Sequence, residues 1–306
     1  MTNYRQSTIR DNLHLRARII QVIRNFFVGN DYLEIDTPIR IPAPAPEAHI
    51  DAMATDDQYL QTSPELCMKQ LLAAGYPRIF QICKCFRQHE RGRKHLPELT
   101  MLEWYHAGGN YLSLMEECEN LIGYIAHQLG RKGKHRFRNR QIELAGPWLR
   151  LPVAEAFEKY GSMAMDEALA TDRFDEVMAL DIEPNLGDPN PVILYDYPAR
   201  HAALARLKQR EPFLAERFEL YIAGIELCNG FSELTDAAEQ RERFKEEQHL
   251  RQSLNKPLYP LPEKFLEALA DMPDAAGNAL GIDRLVMLFA DTDNIDDVVA
   301  FTPEEL

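Results

Sequence analysis

The chain has 306 residues, 45% of them hydrophobic and 27% charged, proportions that are ordinary for a globular protein able to bury a sizeable core. Lys and Arg number 34 against 48 Asp and Glu, a net charge of −14. Such a surface repels phosphate backbones, which argues against sequence-independent nucleic-acid binding. No apolar run approaches the roughly 20 residues of a membrane span, and MTNYRQSTIRDNLHLR lacks the apolar segment of a signal peptide, so a cytoplasmic protein with no membrane partner is expected.

Thr8 to Val28 carries apolar residues at helical spacing, Ile9, Leu13, Ala17, Ile20, Ile23 and Phe27 among them, and Gly29-Asn30 stops it. A short strand is predicted from Leu33, ended by Pro38, followed by an extended loop at IPAPAPEA (41–48). Pro64 to Ala74 reads as a helix with proline in its first turn. Arg78 to Arg87 and Glu98 to His106 read as paired strands around a long charged loop, and Leu112 to Leu129 as the next helix. From Gly130 to about Tyr195 the pattern is too mixed to place, apart from a loop at EPNLGDPNP. Two strands, helices near Asp236 to Leu254 and Glu263 to Ala270, and a strand turning at Gly281 into a helix near Asp283 complete the chain. With no internal repeat and no break in composition, the expectation is one α+β domain, an antiparallel sheet flanked by helices.

The five cysteines, Cys67, Cys83, Cys85, Cys118 and Cys228, lack paired zinc-site spacing and are expected to be reduced and buried. The one concentrated basic stretch, Arg131 to Arg140, is expected as an exposed loop after a helix.

ELYIAGIELCNGFSEL (219–234) sets Glu219, Glu226 and Glu233 seven residues apart. Ala223-Gly224 reads as a two-residue hairpin turn, which opposes Tyr221 to Glu226 and Glu219 to Cys228 and puts Glu219 and Glu226 on one sheet face. Like charges so placed either hold a divalent cation between them or point to solvent, and the segment alone does not choose.

Three stretches are similar to the three motifs of class II aminoacyl-tRNA synthetases, in order: a long helix and strand ending EIDTP, CFRQHERGRKHLPELTMLEWY, and GNALGIDRLVML. With TSPELCMKQLL and ELCNGFSEL between them, residues 8 to 302 resemble the lysyl-tRNA synthetases. The resemblance implies a six- to seven-stranded antiparallel catalytic sheet and a homodimer built partly on the first motif. It also implies adenylation of an amino acid by ATP with Mg²⁺. Lysyl-tRNA synthetases carry an N-terminal anticodon-binding barrel; here the first helix begins within about ten residues of Met1, leaving no room for one, so tRNA is not the expected acceptor. The chain looks more like the free-standing paralogues of this family that attach β-lysine to a lysine of elongation factor P. Ser63 stands where the synthetases usually have alanine, and Ala279 where they usually have glycine. The Ala279 methyl would reshape the space near the substrate's amino group.

Residue by residue, the resemblance implies that Arg87 contacts the α-phosphate and the attacking carboxylate, that Arg284 contacts the γ-phosphate, and that Glu219 and Glu226 hold Mg²⁺. Glu233 with Tyr105 would bind the terminal ammonium, Glu65 and Glu103 would lie near the other amino group or the nucleotide, and Asn229 would meet the substrate carboxylate. Two stretches of the second motif's loop depart from the pattern. FRNE reads FRQH, HNPEF reads His95-Leu-Pro-Glu-Leu99, and Leu99 replaces the phenylalanine that stacks on adenine; His95 is still a candidate phosphate contact. The leading expectation is an ATP-dependent ligase that adenylates (R)-β-lysine or lysine and transfers it to elongation factor P. An adenylating enzyme with another acceptor and a non-catalytic regulatory paralogue are the alternatives.

Overall fold

The structure, a computed structural model, describes residues 4–131, 133–202 and 204–306. Its centre is an eight-stranded sheet. In chain order the strands are β1 (Leu33–Glu34), β2 (Arg78–Phe86), β3 (Glu98–Ala107), β4 (Leu149–Pro152), β5 (Val192–Pro198), β6 (Leu214–Ile222), β7 (Ile225–Ser232) and β8 (Ala275–Gly281). They lie in the spatial order β1-β2-β3-β8-β7-β6-β5-β4. The run from β2 to β5 is antiparallel as expected, but β1 joins β2 and β4 joins β5 in parallel, so the sheet is mixed and larger than six or seven strands. Both parallel joins follow long crossovers, the only connection that returns a strand in the same direction. One of these crossovers is the Gly130–Tyr195 region whose pattern the sequence left unplaced.

Helices α1 (Arg10–Gly29), α3 (Tyr111–Gln128) and α6 (Ile282–Ala290) cover one sheet face, burying Ile23, Phe27, Trp104, Leu121, Leu285 and Phe289 in a common core. Phe27 stacks on Phe80 with ring centroids 4.9 Å apart. Asn110 caps α3 by accepting from the Leu112 and Ser113 amides, and Ser113 Oγ accepts from the Asn110 amide in return. Helices α2 (Glu65–Ala73), α4 (Ala237–Ser253) and α5 (Glu263–Ala268) lie against the other face, where Leu66, Leu72, Phe231, Phe244 and Phe265 form a second core. The space between α2 and the far strands stays open on this face and becomes the site. A third cluster, around Phe157, Phe174 and Ile182, supports the β4–β5 edge.

Two local expectations are corrected. The strand predicted from Leu33 pairs only over Leu33–Glu34 before the chain leaves the sheet. The basic stretch is a hairpin, not a loop: Lys134–Phe137 pairs with Arg140–Glu143 around Arg138 and Asn139, whose φ values of 48° and 65° suit a tight two-residue turn. Lys132 lies outside the described residues. All five cysteines are free; Cys85, Cys118 and Cys228 are buried as expected, whereas Cys67 and Cys83 are only half-buried, and Cys83 and Cys85 Sγ lie 3.9 Å apart on one face.

Candidate active site

Alternation along β3 sends Leu102 and Trp104 into the helix-covered core and Glu103 and Tyr105 to the opposite face. Register then carries that face across the sheet: Glu103 opposes Ala279, Ala279 opposes Asn229, and Asn229 opposes Glu219. The next row is Tyr105, Gly277 and Phe231.

The β6–β7 hairpin turns at Ala223 and Gly224, both with positive φ, and Tyr221 opposes Glu226 as expected. The expected partner of Glu219, Cys228, is off by one: Leu220 opposes Cys228 and Glu219 opposes Asn229, because Leu227 is an extra residue inserted as a β-bulge. The consequence is chemical. On a regular strand Glu226 would face away from both Asn229 and Glu233, at odd spacings of three and seven. The bulge returns all three to the face that already carries Glu219.

All twelve residues named from the sequence lie on or against one cleft of about 290 Å³, and all but Glu219 and Glu233 form its lining. At its outer end, Arg284 in the first turn of α6 donates to the Glu226 backbone carbonyl at 2.9 Å and to Glu226 Oε2 at 3.0 Å. His95 Nε2 lies 2.6 Å from Arg284 Nη2, and with Arg284 as donor the imidazole accepts there and stays neutral. Burial and then Arg284 hold its pKa below the ordinary histidine value. Arg87 is nearly unspent: Nε lies 3.5 Å from the Thr62 carbonyl and Nη1 3.9 Å from Glu90. Glu219 accepts from Arg217 at 2.6 Å, Tyr197 at 2.5 Å and Tyr221 at 2.6 Å. Burial pushes its carboxyl up, while at Glu226 burial is outweighed by Arg284, Arg217 and Arg87 together, which hold the carboxyl down. Leu96, Leu99, Met101 and Ile295 supply apolar wall.

The inner end is a nest of carboxylates. Ser63 Oγ donates to Glu103 Oε1 at 2.6 Å and Tyr105 donates to Glu103 Oε2 at 2.8 Å. Burial, reinforced by Glu65, still pushes the Glu103 carboxyl up to about 7. The Tyr105 hydroxyl is thus held by Glu103 in the free protein, while its ring and Glu233 Oε1 both border Gly277. Glu233 is fully buried and pairs with the Lys69 ammonium, which also donates to Glu65 Oε1 at 2.6 Å and lies over the Phe231 ring. Glu233 Oε1 has no hydrogen-bond partner, and it reaches the cleft wall at Gly277, where an added methyl group would collide with it and with the Tyr105 ring.

The family model described as tRNA synthetases class II (D, K and N) matches residues 1–305. The chain belongs to this family. It is 39% identical over 305 residues to a Histophilus somni protein named elongation factor P–(R)-β-lysine ligase, covering 95% of this chain and 94% of that one. Proteins of the same name from Avibacterium paragallinarum and Edwardsiella ictaluri are 38% and 37% identical, the latter over 99% of this chain and 98% of its own length.

A class II active site uses ATP, and the donors present suit a hard cation at its phosphates. Glu219 and Glu226 offer carboxylate oxygen on one sheet face, and Mg²⁺ is commonly held by one or two carboxylates plus substrate phosphates. Among the described residues no three His, Cys, Asp or Glu side chains gather to hold a metal unaided, so a metal held here would need phosphate oxygens and water to complete its shell. Sequence reasoning missed Lys69, Gly277, Arg217 and Glu47. The i,i+4 spacing of Glu65 and Lys69 was a usable signal for the first; the other three gave none.

Proposed function

We propose that this chain is an ATP-dependent ligase that adenylates (R)-β-lysine and transfers it to a lysine side chain of elongation factor P. The observation that carries this reading is the charge of the cleft's inner end. Glu47, Glu65 and Glu103 line it and Glu233 reaches its wall, against one buried ammonium, Lys69. That surplus of carboxylate suits a substrate with two ammonium groups, since a buried charge left unpaired costs several kcal/mol. The names of the relatives support the choice of β-lysine and of elongation factor P.

In the first step the amino-acid carboxylate attacks the α-phosphorus and pyrophosphate leaves. Arg87, at the junction of the two ends, bridges the attacking carboxylate and the α-phosphate with its free guanidinium fork. Arg284 exchanges Glu226 and His95 for the terminal phosphate. Glu219 and Glu226 hold Mg²⁺, which supplies charge neutralisation at the phosphates when bound. Arg217, Tyr197 and Tyr221 fix the Glu219 carboxylate in orientation. Glu233 takes the terminal ammonium and Asn229 the carboxylate end. In the second step the acceptor lysine amine attacks the acyl carbon and AMP leaves, with no protein nucleophile required. Exposed Val28, Leu33, Ile39 and Tyr76 near the β1 edge support a homodimer, which light scattering would test.

Pyrophosphate exchange with α-lysine and both β-lysine enantiomers tests the first step, and exchange with none of them sinks the proposal. A mass increase of one β-lysyl group on elongation factor P tests the second; charging of tRNA instead would replace the acceptor.

A further inference from the structure

Glu47 lies in the loop between β1 and α2, where the sequence offered only an extended Pro-rich run, and its side chain enters the cleft. The loop is strapped down by the far end of α4 and the chain after it. Arg251, fully buried, donates to the Glu47 carbonyl at 2.8 Å, the Ile50 carbonyl at 3.1 Å and Asp51 Oδ1 at 2.9 Å, and its guanidinium stacks 4.1 Å over Tyr259. Lys256 donates to the Ala48 carbonyl at 2.9 Å, Glu247 accepts from the Ala48 amide at 2.6 Å, and Tyr259 accepts from the Ala52 amide at 2.8 Å. A surface loop without a task does not require a buried arginine and three further contacts to fix its backbone.

What this strap presents is the one inner-end carboxylate without an internal partner. Glu65 and Glu233 share Lys69, and Glu103 accepts from Ser63 and Tyr105. No hydrogen bond or ion pair among the described residues holds the Glu47 carboxyl, which sits within electrostatic reach of Glu65 and Arg87. Arg87 marks the place of the reacting carboxylate, whereas Glu233 and Lys69 mark the far end.

We propose that Glu47 is a specificity-determining ligand for the amino group nearest the reacting carboxylate, the group that distinguishes a diamino acid from a simple ω-amino acid. The inference rests on the reading of the cleft as a lysine-isomer adenylation site and adds to it the residue that recognises the second amine. Its electrostatics agree: burial, with Glu65 adding to it and Arg87 opposing, pushes the free carboxyl up to about 7, a cost that an arriving ammonium removes.

The test compares (R)-β-lysine with 6-aminohexanoate, which keeps the chain, carboxylate and terminal ammonium and lacks only the second amine. In pyrophosphate exchange, with 6-aminohexanoate measured as substrate or as competitive inhibitor, Glu47→Gln is expected to raise the KM for (R)-β-lysine by about 10–100-fold, the worth of a hydrogen bond to a charged group. The constant for 6-aminohexanoate and the KM for ATP stay within about twofold. Glu47→Asp, which keeps the charge on a shorter arm, falls between. An unchanged KM for (R)-β-lysine, an equal rise for both compounds, or a change confined to ATP would each overturn the assignment. If only ATP responds, Glu47 is merely the resting counter-ion of Arg87. Absence of exchange by the unaltered protein with every lysine isomer would overturn both this inference and the functional reading beneath it.

Discussion

Replacing Lys69 by methionine isolates the charge pair at the bottom of the cleft. The Lys69 side chain is 1% exposed and its ammonium serves Glu233, itself fully buried, and Glu65. Burial works against both charges, yet Glu233 and Glu65 together hold the Lys69 pKa above its ordinary value, while burial pushes the Glu233 carboxyl up to about 8. Methionine fills similar volume without the charge, leaving Glu233 uncompensated. Breaking a buried pair from one side costs about 3–5 kcal/mol. With an unfolding entropy of roughly 2.1 cal/mol/K per residue, a chain of 306 residues should lose about 5–8 °C in Tm. Removing both charges is far cheaper than removing one, so Lys69→Met combined with Glu233→Gln should recover at least ~2 kcal/mol, about 3 °C. Calorimetry on the two variants at pH 9, above the folded Glu233 value of about 8 so that the unaltered pair carries both charges, measures this directly. A double variant that melts no higher than Lys69→Met would mean that the lysine stabilises the protein through its aliphatic stem over Phe231 and not through its charge, and the pairing argument would fail.

Ala279→Gly should raise the use of α-lysine relative to (R)-β-lysine in pyrophosphate exchange, since the methyl faces Glu103 and Asn229 in the same row; an unchanged ratio removes Ala279 as a selector. Gly277→Ala forces a methyl into the Tyr105 ring and Glu233, an overpacking worth about 1–3 kcal/mol, so both a lower Tm and a raised amino-acid KM are expected, and an unaffected KM would place Glu233 away from substrate. Arg87→Lys loses the two-pronged grip on phosphate and carboxylate and should cut kcat by about 10²-fold at unchanged fold stability, read by exchange and melting together. Stability of the free protein should fall as pH rises from about 4.5 to about 8, because Glu47, Glu103 and Glu233 keep their protons to about 7, 7 and 8 when folded but release them near 4.3 when unfolded. Below the unfolded pKa that contribution is complete, and it is lost through the folded values. Glu103→Gln should flatten the slope, by an amount on the order of 2 kcal/mol between pH 5.5 and 8.5, and an unaltered slope in melts at pH 5.5, 7 and 8.5 would contradict it.

The sequence by itself determined the elements with strong periodicity and sharp punctuation. The first helix was legible from its apolar spacing and the two central hairpins from their turns. Arg87, Arg284, Glu103 and Tyr105 were legible through the resemblance of their motifs, a strand–loop–strand and a strand–helix corner, to those of the class II synthetases. Where the pattern was weak, as from Gly130 to Tyr195, nothing local decided between strand and helix, and the parallel β4–β5 edge of the sheet depended on that region's crossover. What only the tertiary structure decided was which side chains meet. Asn229 and Glu233 join the face that the hairpin already gives Glu219 and Glu226 because Leu227 bulges out of β7, and no composition signal marks a bulge. Lys69 and Glu233, 164 positions apart, are neighbours only once α2 lies on the sheet, and Glu47 reaches the cleft only because Arg251, 204 positions away, holds its backbone. Periodicity reports the energy of one segment against water; these contacts are energies between segments, and they exist only after the segments have been brought together.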